Sequence, residues 1–169
     1  IPLSGALHHQ DSTGRDKIIQ TGDVQIMSAG TGIFHSEVNA SQVEPVTFLQ
    51  LWIFPKVNNI EPRYDQKLFN EAERKNQLQV VVSPTEENGS LFINQDAWLS
   101  MIDLEEGHSS EYKMHQAGNG VYCFILDGDL NIASESLSKR DAIGLWECDT
   151  FSLQAAKNSK VLFIEVPMN

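Results

Sequence analysis

Cysteine is scarce: the 169 residues hold two, Cys123 and Cys148, with no CxxC spacing. That excludes a disulfide framework and a zinc knuckle, and it suits a reducing cytoplasm. No apolar run approaches the ~20 residues that a membrane-spanning helix needs, and no charged-then-apolar signal segment opens the sequence. A soluble, unexported protein is expected. Positive charge is also in short supply, with 12 basic residues against 23 acidic ones and a formal net charge of -11. Such a field repels nucleic-acid phosphate and anionic lipid, so neither direct nucleic-acid contact nor membrane attachment is expected. No Ser-His-Asp arrangement is recognisable, and Gly30-Thr31-Gly32 lacks the lysine that a phosphate-cradling loop requires.

Helical periodicity is equally thin, and what fills the chain is short β-rich runs punctuated by Gly, Asn, Asp and Pro. Strands are expected at 24–27, 46–54, 78–82, 90–94, 97–103, 121–126, 130–133, 142–146, 150–153 and 161–166, all rich in Val, Ile, Phe, Leu or Trp. The run Val46 to Phe54 has no polar face, which predicts a strand covered on both sides. Asp127-Gly128-Asp129 is a hairpin signal. Phe69 to Lys75, with Asn70 as a cap, is the best candidate for a short helix and divides two β-rich halves. The fold class is all-β, a sandwich or barrel arrangement of the jelly-roll kind, with the halves as weak structural repeats. Ile1 stands where an initiator methionine would, and Ile1-Pro2-Leu3 reads as the tail of a strand reaching a turn at Ser4-Gly5. The sequence therefore reads as starting inside its first barrel.

Chemistry concentrates in Gly22 to Glu37. If His35 to Glu37 is extended, its imidazole and carboxylate project to one face and can reach a single ion. That ligand pair suits Fe, Mn, Ni or Zn. An HxE tripeptide alone is more often a surface pair, but Gly30 and Gly32 supply a flexible turn just ahead of it. The run reads Gly22-Asp23-x-Gln25-x-Met27-x-Ala29-Gly30-x-Gly32-Ile33-x-His35-x-Glu37. With His9-Gln10-Asp11-Ser12 upstream, and Trp52-Ile53-Phe54-Pro55 and Pro62-Arg63-Tyr64 downstream, it resembles the pirin family of bicupins. The likeness continues more weakly to the C-terminus.

The resemblance implies two jelly-roll-like β-barrels: residues 1–68 as an N-terminal cupin domain incomplete at its start, and 69–169 as a C-terminal one without metal. It also implies one divalent transition metal, iron by the family's habit, held in the first barrel by three histidines and a glutamate. His35 and Glu37 match two of those ligands. The other two belong to a His-x-His motif that this sequence lacks, so the chain as it stands is expected to bind metal weakly or not at all and to be inactive. His8 and His9 are not expected to substitute, because neighbours on a strand face opposite sides and the family's equivalents are not ligands; a surface or turn hydrogen bond is the expected role.

For the intact form the resemblance implies oxidative ring cleavage of a flavonol, the quercetin 2,3-dioxygenase activity, with Glu37 as ligand or as the base that takes the flavonol proton. The alternative is a metal-dependent regulator without turnover that binds a protein partner. A homodimer through exposed strand edges is a further expectation. A cupin isomerase of sugars fits less well, since the glycine-rich string is not its signature. In the second half, His108, His115 and Glu147 make too thin a set for another metal site. Trp98 and Trp146 read as core or barrel-mouth packing, and Cys123 as buried and inert.

Overall fold

A computed structural model describes residues 1–168, the side chain of Glu87 excepted. Its contacts divide into two units, Ile1–Asn70 with Leu91–Gln95, and Glu71–Ser90 with the chain from Asp96 onward. Both are built from antiparallel β-structure, as the sequence composition requires, and among the described residues no helix is long and apolar enough to cross a membrane.

The first unit contains β1 (Pro2–Ser4), β2 (Ala6–Asp11), β3 (Asp16–Gln20), β4 (Asp23–Ser28), β5 (His35–Asn39), β6 (Thr47–Phe48) and β7 (Arg63–Leu68). They form three small sheets: β3-β2-β5, β4-β7 and β1-β6. Leu7, Ile19, Val24, Phe69 and Leu91 are among its buried apolar side chains. The expected doubly covered strand over 46–54 is not formed. Pairing stops after Leu49 N–H donates to Ile1 C=O at 2.9 Å, and Trp52 and Phe54 are 90% and 91% exposed. Past that point the backbone is held by other groups: Asn94 Nδ2 donates to Val57 C=O at 2.7 Å, Gln95 Nε2 to Phe54 C=O at 2.9 Å, and Lys56 N–H to Asn94 C=O at 2.7 Å. Apolar composition made this segment look like a strand, but past Leu49 no ladder partner lies beside it among the described residues, and side-chain amides satisfy the main chain instead.

The second unit opens with a single 3-10 turn, Glu71–Arg74, where a short helix was expected. Arg74 is buried and spans Glu71 (2.8 Å) and Asp103 (3.0 Å), so tertiary ion pairs fix this turn. After β8 (Gln79–Ser83), β9 (Leu91–Phe92) belongs with the first unit. There follow β10 (Trp98–Leu104), β11 (Ser109–Lys113), β12 (Asn119–Asp127), β13 (Asp129–Ile132), β14 (Glu135–Ser138), β15 (Ala142–Leu145), β16 (Thr150–Ala155) and β17 (Ser159–Pro167). One sheet runs β15-β12-β17-β10-β8 and the other β11-β16-β13-β14. Their inner faces share one core, including Ile102, Tyr112, Val121, Ile125, Leu130, Leu153 and Phe163. Along β16 burial alternates residue by residue, Phe151, Leu153 and Ala155 inward, the period that a half-covered strand demands. Gly128 makes the β12–β13 turn at φ 85°, and a Cβ there would collide with Asn158 C=O. Trp146 is 58% exposed and so lies outside the core: β15 stops at Leu145, and Trp146 lies beyond the pairing.

One carboxylate organises the open end of this core. Glu165 on β17 is fully buried, and it accepts from Tyr112 Oη (2.9 Å), His115 N–H (3.0 Å), Gln116 N–H (3.1 Å) and Asn119 Nδ2 (2.9 Å). His115 Nδ1 lies 2.8 Å away, with its ring stacked on Trp98 at 5.1 Å. Burial opposes ionisation of Glu165, yet these donors outweigh it and hold the carboxyl below its ordinary value. Burial and the Glu165 charge push the Tyr112 phenol far above its usual range. A depressed carboxyl contributes stability at pH above its unfolded value, and that contribution is lost as pH falls through the folded value. We therefore expect Glu165→Ala to cost about 3 kcal/mol in denaturant melts at pH 7. Its stability should also fall less steeply than wild type below pH ~4.

Candidate functional site

The site of the first unit is set by strand register. β2 pairs with β5 so that His9 lies opposite Glu37 and Asp11 opposite His35. Alternation then puts all four side chains on one face of the sheet. The preceding turn aims β5: Gly30 adopts φ 55°, where a side chain would be strained, and a Cβ there would clash with Ile60 C=O. That same carbonyl accepts Thr31 N–H at 2.9 Å.

His9, read as a surface or turn residue, is completely buried. Its Nε2 is 3.0 Å from Asp11 Oδ2, and its Nδ1 has no hydrogen-bond partner while standing 3.5 Å from Glu37 Oε1. His8 points the other way, 2.7 Å from Asp16, as neighbours on a strand must. The other oxygen of Asp11 collects Thr13 Oγ1 (2.6 Å), Thr13 N–H (2.8 Å) and Arg15 N–H (3.3 Å). Burial works against the Asp11 charge, but these bonds and His9 hold its carboxyl well below the usual carboxylate range. Asp11 is thus an anionic anchor that fixes the His9 ring.

Glu37 is 14% exposed and takes a 2.5 Å hydrogen bond on Oε1 from Gln25 Nε2. The Tyr64 ring packs 4.8 Å from that of His9, and the His35 ring 5.7 Å from it on the outer side. Burial, then the charges of Glu37, Asp23 and Asp11, push the Tyr64 phenol up to about 12, so it stays a neutral donor, at 2.9 Å to Gln66 Oε1. Of the expected residues, His35 and Glu37 do share a face. Asp11, Gln25 and Tyr64 were quoted in the sequence only as parts of the family pattern, and their contacts required the β2–β5 and β4–β7 registers. In the second unit His115 meets Glu165, while Glu147 is exposed at a positive φ of 58°.

These donors do not make a complete metal centre. Tight binding of a transition metal takes three or four protein ligands, and among the described residues no group of three or more His, Cys, Asp or Glu side chains is placed to hold an ion. The buried His9 Nδ1 has no hydrogen-bond partner and faces Glu37 at 3.5 Å, not a set of three donors.

The turn makes a testable demand. Gly30→Ala should destabilise the protein by at least about 1 kcal/mol and loosen β5. Gly14→Ala, whose added methyl meets no atom within 4 Å, should cost less. Thermal melts of the two variants, with hydrogen exchange at 35–39, check the difference.

Comparison with known proteins extends the picture over the whole chain. The Pirin family model matches residues 1–53, and the model described as the quercetinase C-terminal cupin domain matches 80–166. Quercetin 2,3-dioxygenase of Escherichia coli K12 is 36% identical over 165 residues, covering 98% of this chain and 70% of the relative. Among solved structures, YhhW from Escherichia coli superposes with a TM-score of 0.93 at 36% identity, covering 98% of this chain and 69% of that one. The bacterial pirin YhhW in complex with nickel(II), also from Escherichia coli, gives 0.91 at 35% identity, with coverage of 98% and 70%. With both halves matched and the β-architecture shared, the chain is a bicupin of the pirin family.

Proposed function

We propose that this chain serves oxidative ring cleavage of a small aromatic substrate of the flavonol type, with Glu37 as its base. The observation that carries the reading is the placement of Glu37. Gln25 occupies Oε1, no hydrogen bond engages Oε2 among the described residues, and the rings of His9, Tyr64 and His35 stand around it. A carboxylate so oriented can accept the hydroxyl proton of a planar phenol stacked against the exposed His35 ring. Asp11 fixes His9 behind it, so the base keeps its orientation without moving. The resemblance to relatives named quercetin 2,3-dioxygenase supports the substrate class.

His35 and Glu37 are the pair this chain offers to a divalent metal. The family's habit favours iron and the YhhW complex holds nickel(II). Two ligands do not complete the centre, so no chemical step is assigned through it. A cytoplasmic setting belongs to the same reading. A second reading, a regulator that binds a protein partner without turnover, has its own observation: Phe34, Trp52 and Phe54 are 86%, 90% and 91% exposed, more aromatic surface than a solitary domain usually leaves in water.

Oxygen uptake with quercetin under excess Fe²⁺ or Ni²⁺ tests the proposal. Because two ligands hold a metal only weakly, the expected result is uptake that appears only under the excess of metal, falls about 100-fold or more in Glu37→Gln and is unchanged in His8→Ala. Uptake undiminished by Glu37→Gln would remove the base role. Metal-dependent capture of one protein partner with no uptake would select the second reading.

A further inference from the structure

Apart from the Glu37 site, the first unit carries a cleft of 320 Å³ where β3 and β7 face each other. Neither strand has a second ladder partner among the described residues, β3 pairing with β2 and β7 with β4. A side chain spans the gap instead: Gln66 Nε2 donates to Ile18 C=O and to Asp23 Oδ2, both at 2.9 Å, while its Oε1 takes the Tyr64 hydroxyl. Every polar atom of the Gln66 carboxamide is thereby used, which makes the floor of the cleft rigid.

Three cations line it, Arg15, Lys17 and Lys67, in a chain with 12 basic residues and a net charge of -11. Arg15 and Lys17 are exposed and in no ion pair among the described residues. Most cations of the second unit behave differently: Arg74, Lys75, Lys139, Lys157 and Lys160 each hold a carboxylate, Lys113 and Arg140 being the exceptions. Two carboxylates, Asp23 and Asp65, also line the cleft, and each is held by other groups. Asp16, next to Lys17 in sequence, holds His8 and Gln10. Asp23 takes Gln20 N–H and Gln66, and Asp65 takes Gln66 N–H and Arg63. The side chains of Arg15 and Lys17 therefore stay available on the walls of a concave, preformed site.

We propose that this cleft binds a small oxyanion, a phosphate or carboxylate group, through Arg15 and Lys17. A planar guanidinium and an ammonium group on one concavity match the several acceptor oxygens of such a group. The ligand needs no metal and is not held by Glu37, and Tyr64 borders both places.

The test is titration of the protein with inorganic phosphate and, separately, succinate, followed by amide chemical shifts. Saturable one-to-one shifts at 15–18 and 64–68 are expected. Binding should weaken about tenfold in Arg15→Ala and in Lys17→Ala and stay unchanged in Lys113→Ala, an equal loss of charge on β11. Both cleft variants replace exposed side chains, and unchanged thermal melts confirm that they fold. Preference for phosphate identifies a compact oxyanion as the ligand, and preference for succinate a carboxylate-bearing one. Failure of both probes to saturate, or an equal loss in Lys113→Ala, overturns the site.

Discussion

Everything chemical in the first unit depends on the register between β2 and β5. Because side chains alternate with a period of two, a slip of one residue would carry His9 and Asp11 to the opposite face from His35 and Glu37. The pairing His9 to Glu37 and Asp11 to His35 is what converts separated polar residues into one site. Two local devices hold it. Asp11 ties its own turn to His9 through both carboxylate oxygens, and Gly30 lets the chain enter β5 against the Ile60 carbonyl. Hydrophobic burial contributes less, since few large apolar side chains of this unit are covered.

The second unit spends a buried carboxylate differently. Glu165 is satisfied on all sides by neutral donors and by His115, and Trp98 covers the imidazole. Nothing about that arrangement leaves an oxygen for substrate, so its effect is to pin the segment His115–Asn119 to the sheet. Around it lies the larger core, where Cys123 is fully buried and its thiol pushed up to about 12 by burial. The two halves share an architecture but divide its uses: in the first a carboxylate is oriented and left partly open, and in the second it is closed into the structure.

Legibility in the sequence followed the same division. Strands β10, β12, β16 and β17 announced themselves because β-branched and aromatic residues alternate or run together, and each is paired where expected. Strands β2, β3, β5 and β7 are polar, built from His, Gln, Asp, Lys and Arg, and composition gave no sign of them. The long apolar run 46–54 misled for the opposite reason: apolar content predicts burial only where a partner exists to do the burying, and Trp52 and Phe54 have none among the described residues. His35 and Glu37 were readable from spacing, since i and i+2 on a strand share a face. Their neighbours were not, because His9, Gln25 and Tyr64 reach them across strands, and register is a property of pairing rather than of any one segment.

The pair His35 and Glu37 is well oriented but thin, and the claim most exposed to contradiction is that this chain alone holds a metal only weakly. Elemental analysis after equilibrium dialysis against Fe²⁺, Ni²⁺ or Zn²⁺, on protein of verified intact mass, measures it directly. Substoichiometric metal that a weak chelator removes is the predicted result. One ion per chain retained through dialysis would contradict the account, because it would require ligands that the β2–β5 face does not supply.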